Sequence, residues 1–121
     1  MLDHKQQLDQ IMAALHKVAP FPNGISITVH PTCESFEEAT ETYCDAAVCF
    51  IESNKIHIML QIFDPAVMAK YNKQNNKNAT PLEVIAHELL HLIRGDGDHG
   101  LEFETQLFDM VTAVEILMKK S

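Results

Sequence analysis

No stretch of this 121-residue chain approaches the roughly 20 consecutive apolar residues that a membrane-spanning helix requires. The opening Met1-Leu2-Asp3-His4-Lys5 is polar, and no apolar segment follows it of the kind a secretory leader needs. Cysteine is scarce: Cys33, Cys44 and Cys49 cannot all pair within the chain, and together with the missing leader they point to the cytoplasm. Basic residues are few, with 9 Lys and Arg against 17 Asp and Glu and a formal net charge of -8. Apart from Lys119-Lys120 they are scattered, so no stripe exists to neutralise a phosphate backbone, and autonomous nucleic-acid binding is disfavoured. No internal repeat is present. What remains, 46% hydrophobic and 21% charged residues, is the composition of an ordinary globular protein. Its length suits one hydrophobic core, so residues 1–121 are expected to form a single domain, of oligomeric state the sequence does not specify.

The periodicities predict an α+β fold. Leu8, Ile11, Met12, Leu15 and Val18 recur at three- and four-residue steps and mark an amphipathic helix that stops before Pro20. After the turn at Pro20 to Gly24, Ile25, Ile27 and Val29 alternate with Ser26 and Thr28 as in a half-buried strand. Glu34 to Glu41 reads as an acidic loop, Tyr43 to Ile51 as a second strand and Ser53-Asn54 as a hairpin turn. Ile56, Ile58, Leu60 and Ile62 alternate with His57, Met59 and Gln61, predicting a third strand with one polar face. Asp64-Pro65 can start a short helix through Tyr71, followed by a polar loop from Asn72 to Ala79. We therefore expect a small, mainly antiparallel sheet packed against helices.

Thr80-Pro81-Leu82-Glu83 joins a threonine N-cap, a proline at the first helical position and a glutamate three residues after the cap, so a helix begins there. Leu82, Ile85, Ala86, Leu89 and Ile93 form one apolar stripe, and His87 and His91 fall on the opposite side. One turn of helix separates the two histidines by about 6 Å along the axis, which lets both imidazoles reach one ion. Zinc suits this donor set, and the adjacent Glu88, unligated, can take a proton from water that zinc activates near neutral pH. Catalytic zinc sites take three protein ligands. Gly95 can end the helix and the segment Asp96-Gly97-Asp98 can turn the chain back, making His99 the leading third ligand, with Glu102 and Glu104 as rivals. Asp96 and Asp98 either orient ligating imidazoles or serve as solvated turn residues. A last helix, with Phe103, Leu107, Met110, Val111, Val114, Leu117 and Met118 on one face, should close the core.

His87-Glu88-Leu89-Leu90-His91, followed eight residues on by His99-Gly100-Leu101-Glu102-Phe103, resembles the SprT-like and WLM zinc metallopeptidases, in which HExxH precedes a histidine in an HGxxF-like segment. The resemblance covers about residues 55 to 104. It implies a minimal zincin-like domain in which His87, His91 and His99 hold Zn²⁺, Glu88 is the general base, Phe103 packs behind the loop and the substrate is a protein or peptide. Many SprT-like proteins also carry a cysteine-rich ribbon or DNA-binding tail, which this sequence does not show, so a DNA-linked role carries over poorly. A competing resemblance, to YbeY-like endoribonucleases, rests on Leu90-His91-Leu92-Ile93 with Gly95, Asp98 and His99. There the spacing differs and Glu88 stands at a glycine-like position. A zinc-stabilised binding domain without turnover is the third alternative.

The weaker signals stay open. His57 either lies along a cleft or is an exposed strand residue, and Tyr43 and Arg94 lack a spacing rule that would make them oxyanion donors. Cys44 and Cys49 would point to opposite faces of a strand and read as buried thiols. The net negative charge favours a neutral or cationic substrate region over an anionic one.

Overall fold

The structure, a computed structural model, describes residues 2–120. Five helices and a three-stranded sheet make up the regular structure of those residues: α1 (His4–Val18), β1 (Ser26–His30), α2 (Cys33–Thr40), β2 (Ala47–Phe50), β3 (Lys55–Met59), α3 (Pro65–Asn75), α4 (Pro81–Arg94) and α5 (Leu101–Lys119). The α+β expectation holds. None of the helices is long and apolar enough to cross a membrane.

The sheet departs from the expectation. Its order is β1-β3-β2, with β3 parallel to β1 and antiparallel to β2, so it is mixed rather than mainly antiparallel. A parallel pair needs a crossover, and α2 is part of the connection that supplies it. This helix occupies the segment that the sequence suggested was an acidic loop. Thr32 caps it by accepting from the Ser35 N–H at 3.1 Å, while Phe36 and Thr40, one turn apart, are buried beneath it. The acidic residues Glu34, Glu37 and Glu38 are the exposed face of a short amphipathic helix.

Two other elements have different bounds from those expected. The second strand contains only residues 47–50, because the chain before it is tied to α2 by a Cys33–Cys44 disulfide and by the Cys44 N–H donating to Glu37 Oε2 at 3.1 Å. Cys44 is thus a half-cystine outside any strand, not a buried thiol. The third strand stops at Met59, and Leu60–Phe63 winds into a short 3-10 helix. Asn54, in the left-handed region with φ 54°, makes the turn between β2 and β3, as its place in Ser53-Asn54 suggested.

Neither face of β3 is a polar face. Ile56 and Ile58 point into the main core with Leu8, Leu15, Ile85, Leu89 and Phe103, and the other face is roofed by α2. His57 is consequently buried, not exposed and not in a cleft. Its Nδ1 lies 2.9 Å from Nε2 of His30, whose Nδ1 lies 2.9 Å from Ser35 Oγ, and the two rings stack between Phe36 and Phe50. Both ring nitrogens of His30 and the Nδ1 of His57 thus have partners that neutral imidazoles can satisfy.

Burial lowers the pKa of both His30 and His57, the latter also through His30 and Lys55. Unfolded histidines protonate first as the pH falls, so stability is full above about 6.5 and declines as the pH drops below that value. We expect urea unfolding of the metal-free protein to show this decline between pH 7 and 5. A His30→Phe/His57→Leu double variant should show a smaller one, and equal declines in both proteins would contradict the assignment.

Candidate metal centre

The motif helix α4 begins as its sequence requires. Thr80 Oγ1 accepts from the Glu83 N–H and Glu83 Oε1 accepts from the Thr80 N–H, both at 3.2 Å, with Pro81 in the first turn. Leu82, Ile85, Ala86 and Leu89 are buried against the core as expected, and Val84, Leu90 and Leu92 are buried too. Ile93, at the end of the expected stripe, is 37% exposed. Gly95 ends the helix with φ 74°, and its N–H donates to the His91 carbonyl at 2.8 Å.

The reversal that follows is built from short side-chain bonds. Asp96 Oδ1 accepts from the Asp98 N–H at 3.2 Å, and Asp98 Oδ1 accepts from the Gly100 N–H at 3.1 Å. Arg94 Nε donates to Asp96 Oδ1 at 3.3 Å and its guanidinium also reaches Gln106 and Glu102 of α5, so the turn is clamped from both sides. That guanidinium holds the Asp96 carboxyl below the usual carboxylate range.

This turn returns His99 to the helix. The three Nε2 atoms of His87, His91 and His99 stand 3.1 Å (His87 to His91), 3.2 Å (His87 to His99) and 2.9 Å (His91 to His99) apart. They are close enough to hold one metal ion. Neither rival carboxylate joins them: Glu102 is exposed and faces Arg94 at 3.7 Å, while Glu104 lines a cavity beside the triad. His91 Nδ1 lies 3.0 Å from the backbone carbonyl of Asp96, to which it must donate. That bond fixes the tautomer and presents a bare Nε2 to the centre of the triad. Asp96 therefore orients the His91 ring through its backbone, while its carboxylate and that of Asp98 shape the turn.

Phe103 forms the floor. It is fully buried, stacks on His91 with ring centroids 4.5 Å apart, and meets His87 and His99 edge-on at 5.1 and 5.3 Å. Burial first, and then the neighbouring imidazoles, lower the His87 pKa to about 4, and burial also lowers that of His91. Both rings are thus neutral at pH 7, the state in which imidazole ligates.

His87 and Glu88 open onto a cavity of about 400 Å³ whose other walls include Asp45, Tyr71, Lys77, Glu83 and Glu104. Burial raises the Glu88 pKa, and hydrogen bonding from Cys49 and the charge of Lys77 oppose the rise. Tyr43 is 90% exposed and takes no part, and Arg94 is committed to the turn. Lys77, Tyr71 and Cys49 are the neighbours that the sequence did not disclose. Lys77 sits on a tight loop, because Asn72 bonds the Ala79 N–H and carbonyl at 2.9 and 3.0 Å and its own carbonyl accepts from the Lys77 N–H at 2.9 Å. The polar loop expected from Asn72 thus shrinks to residues 76–79, with α3 extending to Asn75. No local spacing announces such a contact.

Comparison with protein-family models, with curated proteins and with solved structures returned no match.

The geometry of the triad predicts one divalent ion per chain, measurable by cobalt(II) titration followed through visible absorption. His99→Ala should weaken binding by at least about 100-fold, whereas Glu102→Gln and Glu104→Gln should leave it unchanged. A comparable loss in Glu102→Gln would overturn the ligand set.

Proposed function

We propose that this protein is a zinc-dependent metallopeptidase of the SprT-like kind, built as a minimal zincin-like domain. The observation that carries this reading is the convergence of three imidazole Nε2 atoms directly beside a half-buried glutamate that opens onto a cavity. Three nitrogens held about 2.0–2.1 Å from one tetrahedral zinc stand roughly 3.3 Å from one another, close to the spacing seen here. An all-nitrogen set of three favours zinc over calcium or magnesium, which take oxygen ligands. Three ligands also match a catalytic site with one open position better than a structural site closed by four.

Zinc bound there would polarise a scissile carbonyl and lower the pKa of an attacking water. The chain supplies the rest. Glu88 takes the proton from that water as its oxygen bonds to the carbonyl carbon, then gives it to the amide nitrogen as the C–N bond breaks. A carboxyl whose pKa is raised by burial is suited to both halves of that transfer near neutral pH. Asp96 keeps His91 in the ligating tautomer, and Phe103 holds the three rings against displacement.

The ribonuclease reading is less well supported. Asp45, Glu83, Glu88 and Glu104 all line the cavity and Lys77 is its one basic wall residue, so a polyanion would approach against repulsion. A binding domain without turnover gives no role to a carboxylate placed beside the ligands.

Glu88→Gln tests the assignment. The variant should keep its metal stoichiometry and thermal stability while its kcat on a denatured casein-like protein falls by about 10²- to 10⁴-fold. Unchanged hydrolysis would remove Glu88 from the chemistry. Hydrolysis of single-stranded RNA but not of protein by the metal-loaded wild type would favour the ribonuclease.

A further inference from the structure

The segment that joins α2 to β2 is bonded back to α2. The Glu41 N–H donates to the Glu37 carbonyl at 2.9 Å, the Thr42 N–H to Thr40 Oγ1 at 3.3 Å and the Cys44 N–H to Glu37 Oε2 at 3.1 Å. Tyr43, almost wholly exposed, adds little packing. Backbone bonding to the sheet begins at Ala46, whose carbonyl accepts from the Met59 N–H at 3.0 Å, and continues at Ala47, in register with Ile58. The helix has anchors of its own in the Thr32 cap and the buried Phe36. The Cys33–Cys44 disulfide joins the first residue of that anchored helix to the end of the connecting segment.

The residues that follow Cys44 belong to the metal centre's surroundings. Asp45 and Ala47 line the cavity onto which His87 and Glu88 open. A neighbouring cavity of about 360 Å³ is lined by Cys33 and Cys44 themselves and shares Asp45 and Tyr71 with the first. Cys33 is exposed, so the bridge is reachable from solvent in the folded protein. Asp45 is then the direct covalent link between the bridge and the cavity wall.

We propose that Cys33–Cys44 is a reversible redox tie that sets the rigidity of one wall of the cavity beside the metal centre. Its consequence for turnover rests on the peptidase reading, whereas the tie itself rests on the bonding of residues 41–46. Closing a loop whose ends are 11 residues apart restricts the conformations of the segment within it. With the bridge open, the segment and Asp45 can leave their positions while α2 stays capped and Phe36 stays buried. His87 and His91 lie on α4, and His99 lies on the turn that leads to α5, so the released segment carries none of the three. Reduction therefore loosens the wall and spares the metal site.

The exchange takes a dithiol as reductant. One of its thiolates attacks a sulfur of the bridge, forming a mixed disulfide and displacing the other cysteine as a thiolate, which takes up a proton. The second thiol of the reductant, deprotonated, then attacks the mixed disulfide. Two electrons have passed to the bridge, Cys33 and Cys44 are both thiols, and the reductant leaves as a disulfide.

Amide hydrogen exchange of the metal-free protein, oxidised and after dithiothreitol without denaturant, tests the tie. Amides of residues 42–47 should exchange at least about tenfold faster in the reduced form, those of α4 should not change, and reoxidation should restore the first rates. Equal rates at 42–47, or a bridge that dithiothreitol opens only in denaturant, would overturn the switch. Cys33→Ser and Cys44→Ser, which cannot form the bridge, should show the reduced pattern with or without oxidant, and wild-type protection in both would overturn it too. With dithiothreitol removed and zinc restored, kcat/KM on a peptide should be at least about fivefold lower in the reduced form, and cobalt(II) affinity should stay within about twofold. Equal kcat/KM would overturn the coupling to the cavity. Failure of both forms to cut any peptide would instead sink the peptidase reading, and the exchange rates would still decide whether the tie is local and reversible.

Discussion

Three imidazole nitrogens turned toward one another at about hydrogen-bond distance need something positive between them, since His91 Nε2 is bare and a lone pair facing other ring nitrogens has no better partner. A cation satisfies all three at once. Much of the architecture around the site can be understood as holding that meeting point. The capping box starts α4 in the register that turns His87 and His91 toward Phe103 and the returning His99, and Gly95 stops it one turn after His91. The Arg94–Asp96 clamp and the two aspartate turns then return His99 within eight residues. Phe103, the third residue of α5, closes the space beneath the rings, so the last helix is tied to the centre as well as to the core.

Placing the centre at the end of α4 leaves Glu88 on the flank that faces the sheet edge and the cavity. Its surroundings set a balance. Burial raises its proton affinity, while Cys49 and Lys77 restrain the rise. The walls contributed by Asp45, Glu83 and Glu104 make the cavity acidic, in keeping with the net charge of the whole chain.

The parts of this arrangement that were legible in the sequence are those written in local spacing. His87 and His91 are one helical turn apart, Thr80 and Glu83 form a cap pair, Gly95 is a helix stop, and His99 and Phe103 follow within a few residues, so periodicity and turn chemistry suffice. The parts that were not legible depend on partners distant in sequence. The run from Glu34 to Glu41 looked like a loop because its acidic residues outnumber its apolar ones, yet burying Phe36 and Thr40 over His57 makes it a helix. His57 looked exposed because alternation reports that two faces differ, not that both are covered. The parallel pairing of β1 with β3 follows from the α2 crossover and could not be seen before that helix was. Cys49 was read as a buried thiol and is a free one packed against the core, whereas Cys44, read the same way, is bonded to Cys33 through a pairing that no local spacing announces.

The central claim is that three histidines form an open metal site. X-ray absorption at the zinc edge of the metal-loaded protein addresses it most directly. Three imidazole nitrogens at about 2.0–2.1 Å plus a single light-atom ligand that an added anion can exchange is the expected result. A zinc closed by four protein ligands, with a sulfur or a carboxylate oxygen taking the fourth position, would contradict the account.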